Sequence, residues 1–223
     1  MDRITDAFVW PVRDPEWVRK MLVMGLLLLI PLLGAINAVG WMVAAIGRLR
    51  AGDERLPPAG FGYISRGWPL FIVSLAYGLS LVAVYAVVSG AAYLMLRVQD
   101  GQESPQPLVA AVAIVLLFVA SGAMTLGSLL LTAATPAIVL AVLRGGISAG
   151  LNVRGVALTA VRSPFNTLTA GLMLIAASFI ESLGLFVCVV GILFTSVYGL
   201  AMEAWIVRSF ELGAAAPGRP ATT

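Results

Sequence analysis

Histidine is absent from this 223-residue chain. That excludes hydrolytic triads built on imidazole, zinc or haem sites with histidine ligands, and histidine proton relays. A single cysteine, Cys188, rules out an internal disulfide, and its apolar surroundings suit a small packing residue. Charge is scarce as well: 11% of residues are Asp, Glu, Lys or Arg, against about 25% in soluble domains. Phosphate-binding loops, dinucleotide fingerprints and zinc motifs are missing, and no two carboxylates are spaced to share a site. No catalytic residue, cofactor or metal is therefore expected, and no enzymatic activity. The pI near 9.4 reflects arginines too scattered to form a nucleic-acid surface, so no nucleic-acid partner is expected.

What is present is apolar. Hydrophobic residues make up 60% of the chain and the mean hydropathy is +0.99. A soluble fold of this composition would expose large apolar patches, an objection that lipid removes. The charges are also segregated: residues 21–47, 67–96, 104–143, 163–180 and 182–202 contain none. A helix crosses the hydrocarbon core with about 20 residues, so several of these stretches are long enough to span it. Residues 1–20 mix four acids with their basic residues, and the apolar run that follows is too long for a signal peptide and has no small-residue cleavage site. Residue 1 is thus expected to remain in the mature protein.

Breakers divide the longest runs. Residues 17–47 would form one helix roughly 45 Å long, against a hydrocarbon core of about 30 Å. Pro31, Gly34 and Asn37 sit in the middle; proline interrupts a helix, while Gly and Asn favour chain reversal. The expectation is a tight hairpin or a sharply broken helix with halves 17–33 and 36–47, opened by Asp14 as cap and Pro15 in the first turn. Residues 70–96 form a second segment, and 108–143 a third that Pro136 is expected to kink. The last apolar region, 165–207, is interrupted only by Glu181 and Glu203 and is expected to turn back at residues 181–184. Residues 2–12 and 152–162 alternate apolar and charged positions as interfacial helices do.

Arginine placement supports the two hairpins. Basic residues number four before the first apolar run, four in the loop after it, one in the loop near residue 100, three in the next loop and two at the end. Cytoplasmic loops carry the excess of Lys and Arg. A single crossing by the first run would leave one basic flank outside; a hairpin returns both. The expected architecture is all-α: a polytopic transmembrane bundle of about six helical pieces, with hairpin or broken first and last regions and short interfacial helices. Both termini face the cytoplasm of a multi-pass inner-membrane protein, residues 97–107 form the one substantial external loop, residues 1–211 form a single domain, and 212–223 a disordered tail. Residues 7–50 and 160–208 also share an order of elements, a weak internal repeat of the kind whose breaks mark midplane sites in transporters.

The stretch Phe8-x-Trp-Pro-x-Arg-Asp-Pro-Glu-Trp17, followed by Leu29-Ile-Pro-Leu-Leu-Gly-Ala-Ile-Asn37 and Arg48-Leu-Arg-Ala-Gly52, resembles a family of bacterial and archaeal membrane proteins described as a domain of unknown function. Residues 190–195 and 201–210 also resemble that family, and in pattern the membrane domain of some glycerophosphodiester phosphodiesterases. The likeness runs from about residue 7 to 210. It departs from the family where acidic residues follow Leu-Pro, since Ala59 and Gly60 stand there. The resemblance implies the fold and carries over no catalytic residue.

Three polar residues stand out as candidates. Glu181 is an intramembrane carboxylate, and so a functional candidate, if the last hairpin stops within the bilayer; if its arms cross fully, it sits in an external turn. Asn37 reads as a turn former. Glu203, five residues before Arg208, reads as half of an interfacial ion pair. Ser121, Thr125, Ser128, Thr132 and Thr135 follow helical spacing, as helix-joining hydroxyls or as a polar path. Small residues at Ser74/Gly78, Ala86/Gly90 and Ala123/Gly127 would allow close helix approach, and Trp10, Trp17, Trp68 and Trp205 would form an aromatic belt. Two functions fit: transport or handling of a small solute or lipid, including as an accessory subunit, or a scaffold that anchors a partner. The expected partners are membrane lipids and either a second copy of the chain or another membrane protein.

Overall fold

The computed structural model describes residues 4–99 and 106–214, with the backbone alone at residues 4, 5 and 187–190. Among the described residues the chain is all helical: α1 (Trp17–Leu27), α2 (Leu33–Arg50), α3 (Ile64–Gln99), α4 (Pro107–Gly150), α5 (Val153–Arg162), α6 (Pro164–Leu183) and α7 (Cys188–Ala214), with 3-10 turns at Ile4–Phe8, Trp10–Arg13 and Gly184–Val187. Six of the seven are the expected pieces, and α5 is an expected amphipathic helix. The side chain of Cys188 and most of the expected external loop lie outside the described residues. Of the expected tail, residues 212–214 still belong to α7, and the remainder is outside the described residues.

Among the described residues, three segments have the length and composition to cross a membrane: Ile64–Gln99, Pro107–Gly150 and Pro164–Phe186. In their most apolar 18-residue windows only 6%, 11% and 28% is buried within the protein. Apolar helices with so little protein cover need lipid around them. This is a membrane protein.

The chain divides into two compact units, residues 1–73 with 132–223, and residues 74–131. In the first, α7 is central: α1, α2, α6 and the N-terminal 3-10 turns all pack on it. Trp41, Met42, Ile46, Met202, Ile206 and Phe210 are fully buried there. Trp10 stacks on Trp205 with ring centroids 5.6 Å apart, and its indole N–H donates to the Ala201 carbonyl at 3.2 Å. These two tryptophans are core residues rather than members of an interfacial belt, and the expected N-terminal surface helix is instead a pair of 3-10 turns buried through Ala7 and Trp10. In the second unit, Gly127 packs so closely on Leu81 that an added Cβ would lie 2.5 Å from it, whereas Gly78 and Gly90 face open space. Only the Ala123/Gly127 pair therefore marks a close helix approach.

The first apolar region breaks between α1 and α2, where Pro31 forbids a helix to continue. Leu33 N–H donates to Pro31 O at 2.6 Å around Leu32, whose φ of 60° and ψ of −58° describe a γ-turn, a strained geometry for a branched side chain. Gly34 and Asn37 are not part of the break; both lie within α2. A Cβ on Gly34 would come 2.1 Å from the Leu27 carbonyl, so glycine there lets the arms meet. Asn37 is fully buried. Its amide donates to Gly60 O at 2.9 Å and accepts from Tyr63 N at 3.0 Å, pinning the 51–63 loop to α2. Trp41 assists, donating to Pro57 O at 3.2 Å. Replacing Asn37 by Ala leaves two backbone groups unpaired and should cost about 2 kcal/mol, measurable as a lowered unfolding midpoint in detergent.

Pro136 does not break α4. Its backbone stays helical there, and the helical geometry is lost instead at Gly145 and Gly146, where Gly146 adopts φ 68°, a conformation that glycine enters without a side-chain penalty. At the base of the first unit, Arg50 grips Glu211 through two hydrogen bonds of 3.0 and 2.8 Å, and Arg208 adds a third at 2.8 Å. Burial alone would raise the Glu211 carboxyl, but the hydrogen bonds from Arg50 and Arg208 hold it below its ordinary value.

Candidate functional site

Helices α6 and α7 form a hairpin held close by glycine. A Cβ at Gly184 would meet the Thr195 hydroxyl at 2.1 Å, and that hydroxyl lies 3.0 Å from the Glu181 carbonyl and 2.9 Å from the Gly191 carbonyl. Glu181 therefore lies in the last turn of α6, not at the apex of the hairpin. Its carboxylate rests on Gly199, where a Cβ would come within 1.6 Å of Oε1. Any larger residue at 199 would displace the acid.

From that position Glu181 faces a cavity of about 420 Å³ within the first unit. Glu203 of α7 reaches the same cavity, as do Ser178, Ser196, Thr132 and Thr135, while Ala35, Ala38 and Val39 of α2 supply apolar wall. Both acids are half-buried and line the same cavity. Sequence spacing gave no reason to pair them; the hairpin does so by folding residue 203 back alongside 181. Glu203 is not the partner of Arg208, whose guanidinium binds Glu211. Among the described residues, neither Glu181 nor Glu203 has an ion-pair partner.

Chemically, the cavity offers two carboxyl groups and several hydroxyls inside an apolar frame. Ser178 turns its proton to the Leu174 carbonyl at 3.0 Å, which leaves its oxygen lone pairs as acceptors for a ligand. Of the hydroxyl row in α4, Thr132 and Thr135 reach the cavity, and Ser121, Thr125 and Ser128 do not line it. Among the described residues no group of three or more His, Cys, Asp or Glu side chains converges as a metal-binding set would. Asn37, Gly34, Pro31 and Pro136 lie outside the lining and serve the frame. Ser178, Ser196 and Gly199 were not singled out from the sequence. Their signal was present in the helical period: Ser178 precedes Glu181 by three residues, and Ser196, Gly199 and Glu203 follow at three and four.

A family model described as a protein of unknown function (DUF4013) matches residues 23–208. The chain belongs to the DUF4013 family. The matched span contains α2 to α6 whole, most of α7, and every residue that lines the cavity, including Glu181 and Glu203. It begins after the Phe8–Trp17 motif that first suggested the resemblance. No curated protein and no solved structure matches the chain.

Proposed function

We propose that this chain is a non-enzymatic transport protein of the bacterial inner membrane, and that the cavity of Glu181 and Glu203 receives a small cation, either a monovalent ion or a protonated amine. The observation that carries the reading is the convergence of two carboxylates, neither ion-paired among the described residues, on a cavity of about 420 Å³ framed by apolar helices. A pair of like charges in a medium of low dielectric is costly, and a cation between them relieves the repulsion. Hydroxyl oxygens supply the remaining acceptors, which suits a weakly hydrated cation better than a hard divalent one demanding more carboxylates. Ionisable groups inside membrane segments mark substrate or ion pathways, and broken hairpins recur in transporters. The distribution of arginines supports an orientation with both termini in the cytoplasm.

Purified protein in liposomes should take up labelled methylammonium above the protein-free background when the interior is negative. Loss of a charge-assisted contact is worth about 1.5–3 kcal/mol, so Glu181→Gln and Glu203→Gln should each slow uptake about tenfold or more. Absence of uptake by the wild type, or uptake by both variants at the wild-type rate, would discard this reading.

A further inference from the structure

The ten residues of α5 lie outside the cavity, yet their exposed side chains form an ordered pattern. Asn152 caps the helix through its Oδ1, which accepts from Gly155 N at 3.0 Å. Only Val156 is turned inward and buried. On the outer surface, Val153, Ala157 and Val161 form one row at helical spacing, and Arg154, Leu158 and Arg162 form the row beside it. Val153, Leu158 and Val161 are 63%, 49% and 72% exposed, and Phe165 just beyond is 73% exposed.

Some basic residues are neutralised within the chain, while others, the exposed Arg55, Arg66 and Arg144 included, have no ion pair among the described residues. Arg13, Lys20, Arg48, Arg50 and Arg208 all pair with carboxylates of the chain itself. Among the described residues, neither Arg154 nor Arg162 has an ion pair, and both are exposed. No acid lies between residues 104 and 180 to supply one locally. A row of apolar side chains beside a row of free guanidiniums complements one kind of surface, the headgroup–acyl boundary of an anionic bilayer. Arginine also binds phosphate oxygens through two hydrogen bonds at once.

We infer that α5 is a docking helix for anionic phospholipid, its Val153–Ala157–Val161 row set among acyl chains and Arg154 and Arg162 bound to lipid phosphates. The inference is independent of the cavity and of any transported solute.

The test uses the full chain carrying Cys188→Ser and a fluorophore on Val161→Cys, reconstituted in vesicles of phosphatidylcholine alone or with about one third phosphatidylglycerol. Quenching by a lipid spin-labelled near the headgroup should be at least about twofold stronger with phosphatidylglycerol present. That increment should vanish in Arg154→Gln/Arg162→Gln and fall as salt rises from about 0.05 to 0.5 M, where screening shortens to a few ångström. Arg19→Gln, which removes an exposed arginine paired with Glu16, should leave it unchanged. Equal quenching in both vesicle types, or an increment that survives loss of both arginines, would overturn the inference. The salt titration on the unsubstituted arginines decides the matter even if the double variant folds poorly.

Discussion

Asp14→Ala is expected to lower the stability of the first unit by about 3 kcal/mol, the scale for removing one partner of a buried ion pair. Asp14 is 2% exposed. Its Oδ1 accepts from Glu16 N at 2.8 Å, while Oδ2 accepts from Lys20 Nζ at 2.7 Å and from Leu56 N at 2.9 Å. Lys20 closes the ring by donating to the Leu56 carbonyl at 3.1 Å. One carboxylate thus fixes the start of α1, its first turn and the 51–63 loop. Alanine would strand an ammonium group and two backbone N–H groups. Asp14→Asn, which keeps an acceptor for one of those N–H groups, should cost less. Thermal unfolding in detergent, followed by tryptophan fluorescence, measures both.

The pH dependence has a defined sign. Burial pushes the Asp14 carboxyl up, but the Lys20 hydrogen bond and the Glu16 and Leu56 N–H groups outweigh it and hold the group below its ordinary 3.8. A carboxyl whose folded value is depressed contributes stability above the unfolded value and loses it as pH falls through the folded one. Stability should therefore decline from about pH 4 downward, and less steeply in Asp14→Asn.

Gly67→Ala should be comparably damaging. A Cβ at position 67 would lie 1.9 Å from the Ile36 carbonyl and 2.6 Å from Gly40 N, and one at Gly40 would lie 2.0 Å from the Tyr63 carbonyl. These obstacles are backbone atoms, which cannot rotate aside. Overpacking against fixed structure costs about 1–3 kcal/mol, and the upper end is expected here, a drop in midpoint on the order of 10 °C. Gly78→Ala supplies the opposite case in the same helix. Nothing lies within 4 Å of its added Cβ, and alanine favours a helix over glycine by about 1 kcal/mol, so that variant should match or exceed the wild type.

Pro31 and Gly34 show what the sequence could and could not reveal. Proline acts through its own backbone, so the break at Pro31 was legible from one residue. Gly34, Gly40 and Gly67 act through a partner strand of backbone that no local pattern names, and Gly34 was accordingly mistaken for a breaker. The same distinction separates Pro136, whose missing N–H α4 absorbs without losing helical geometry, from Gly146, whose positive φ bends the chain. Asn37 has turn-forming chemistry, but the turn it stabilises belongs to the loop 23–26 residues away. Charge segregation revealed the membrane segments because lipid acts on each stretch separately. The cavity required tertiary information: Glu203 has an arginine within five residues, and only the α6–α7 hairpin shows that it faces Glu181 instead.

The central claim is that these two acids create a wet cavity that attracts cations. Its most direct test is the reaction of Ser196→Cys, in a Cys188→Ser background, with thiol reagents of similar size and opposite charge. The cationic reagent should react at least about tenfold faster than the anionic one, and Glu181→Gln/Glu203→Gln should abolish that preference. Equal rates for the two reagents, or a preference that persists without either carboxylate, would contradict the account.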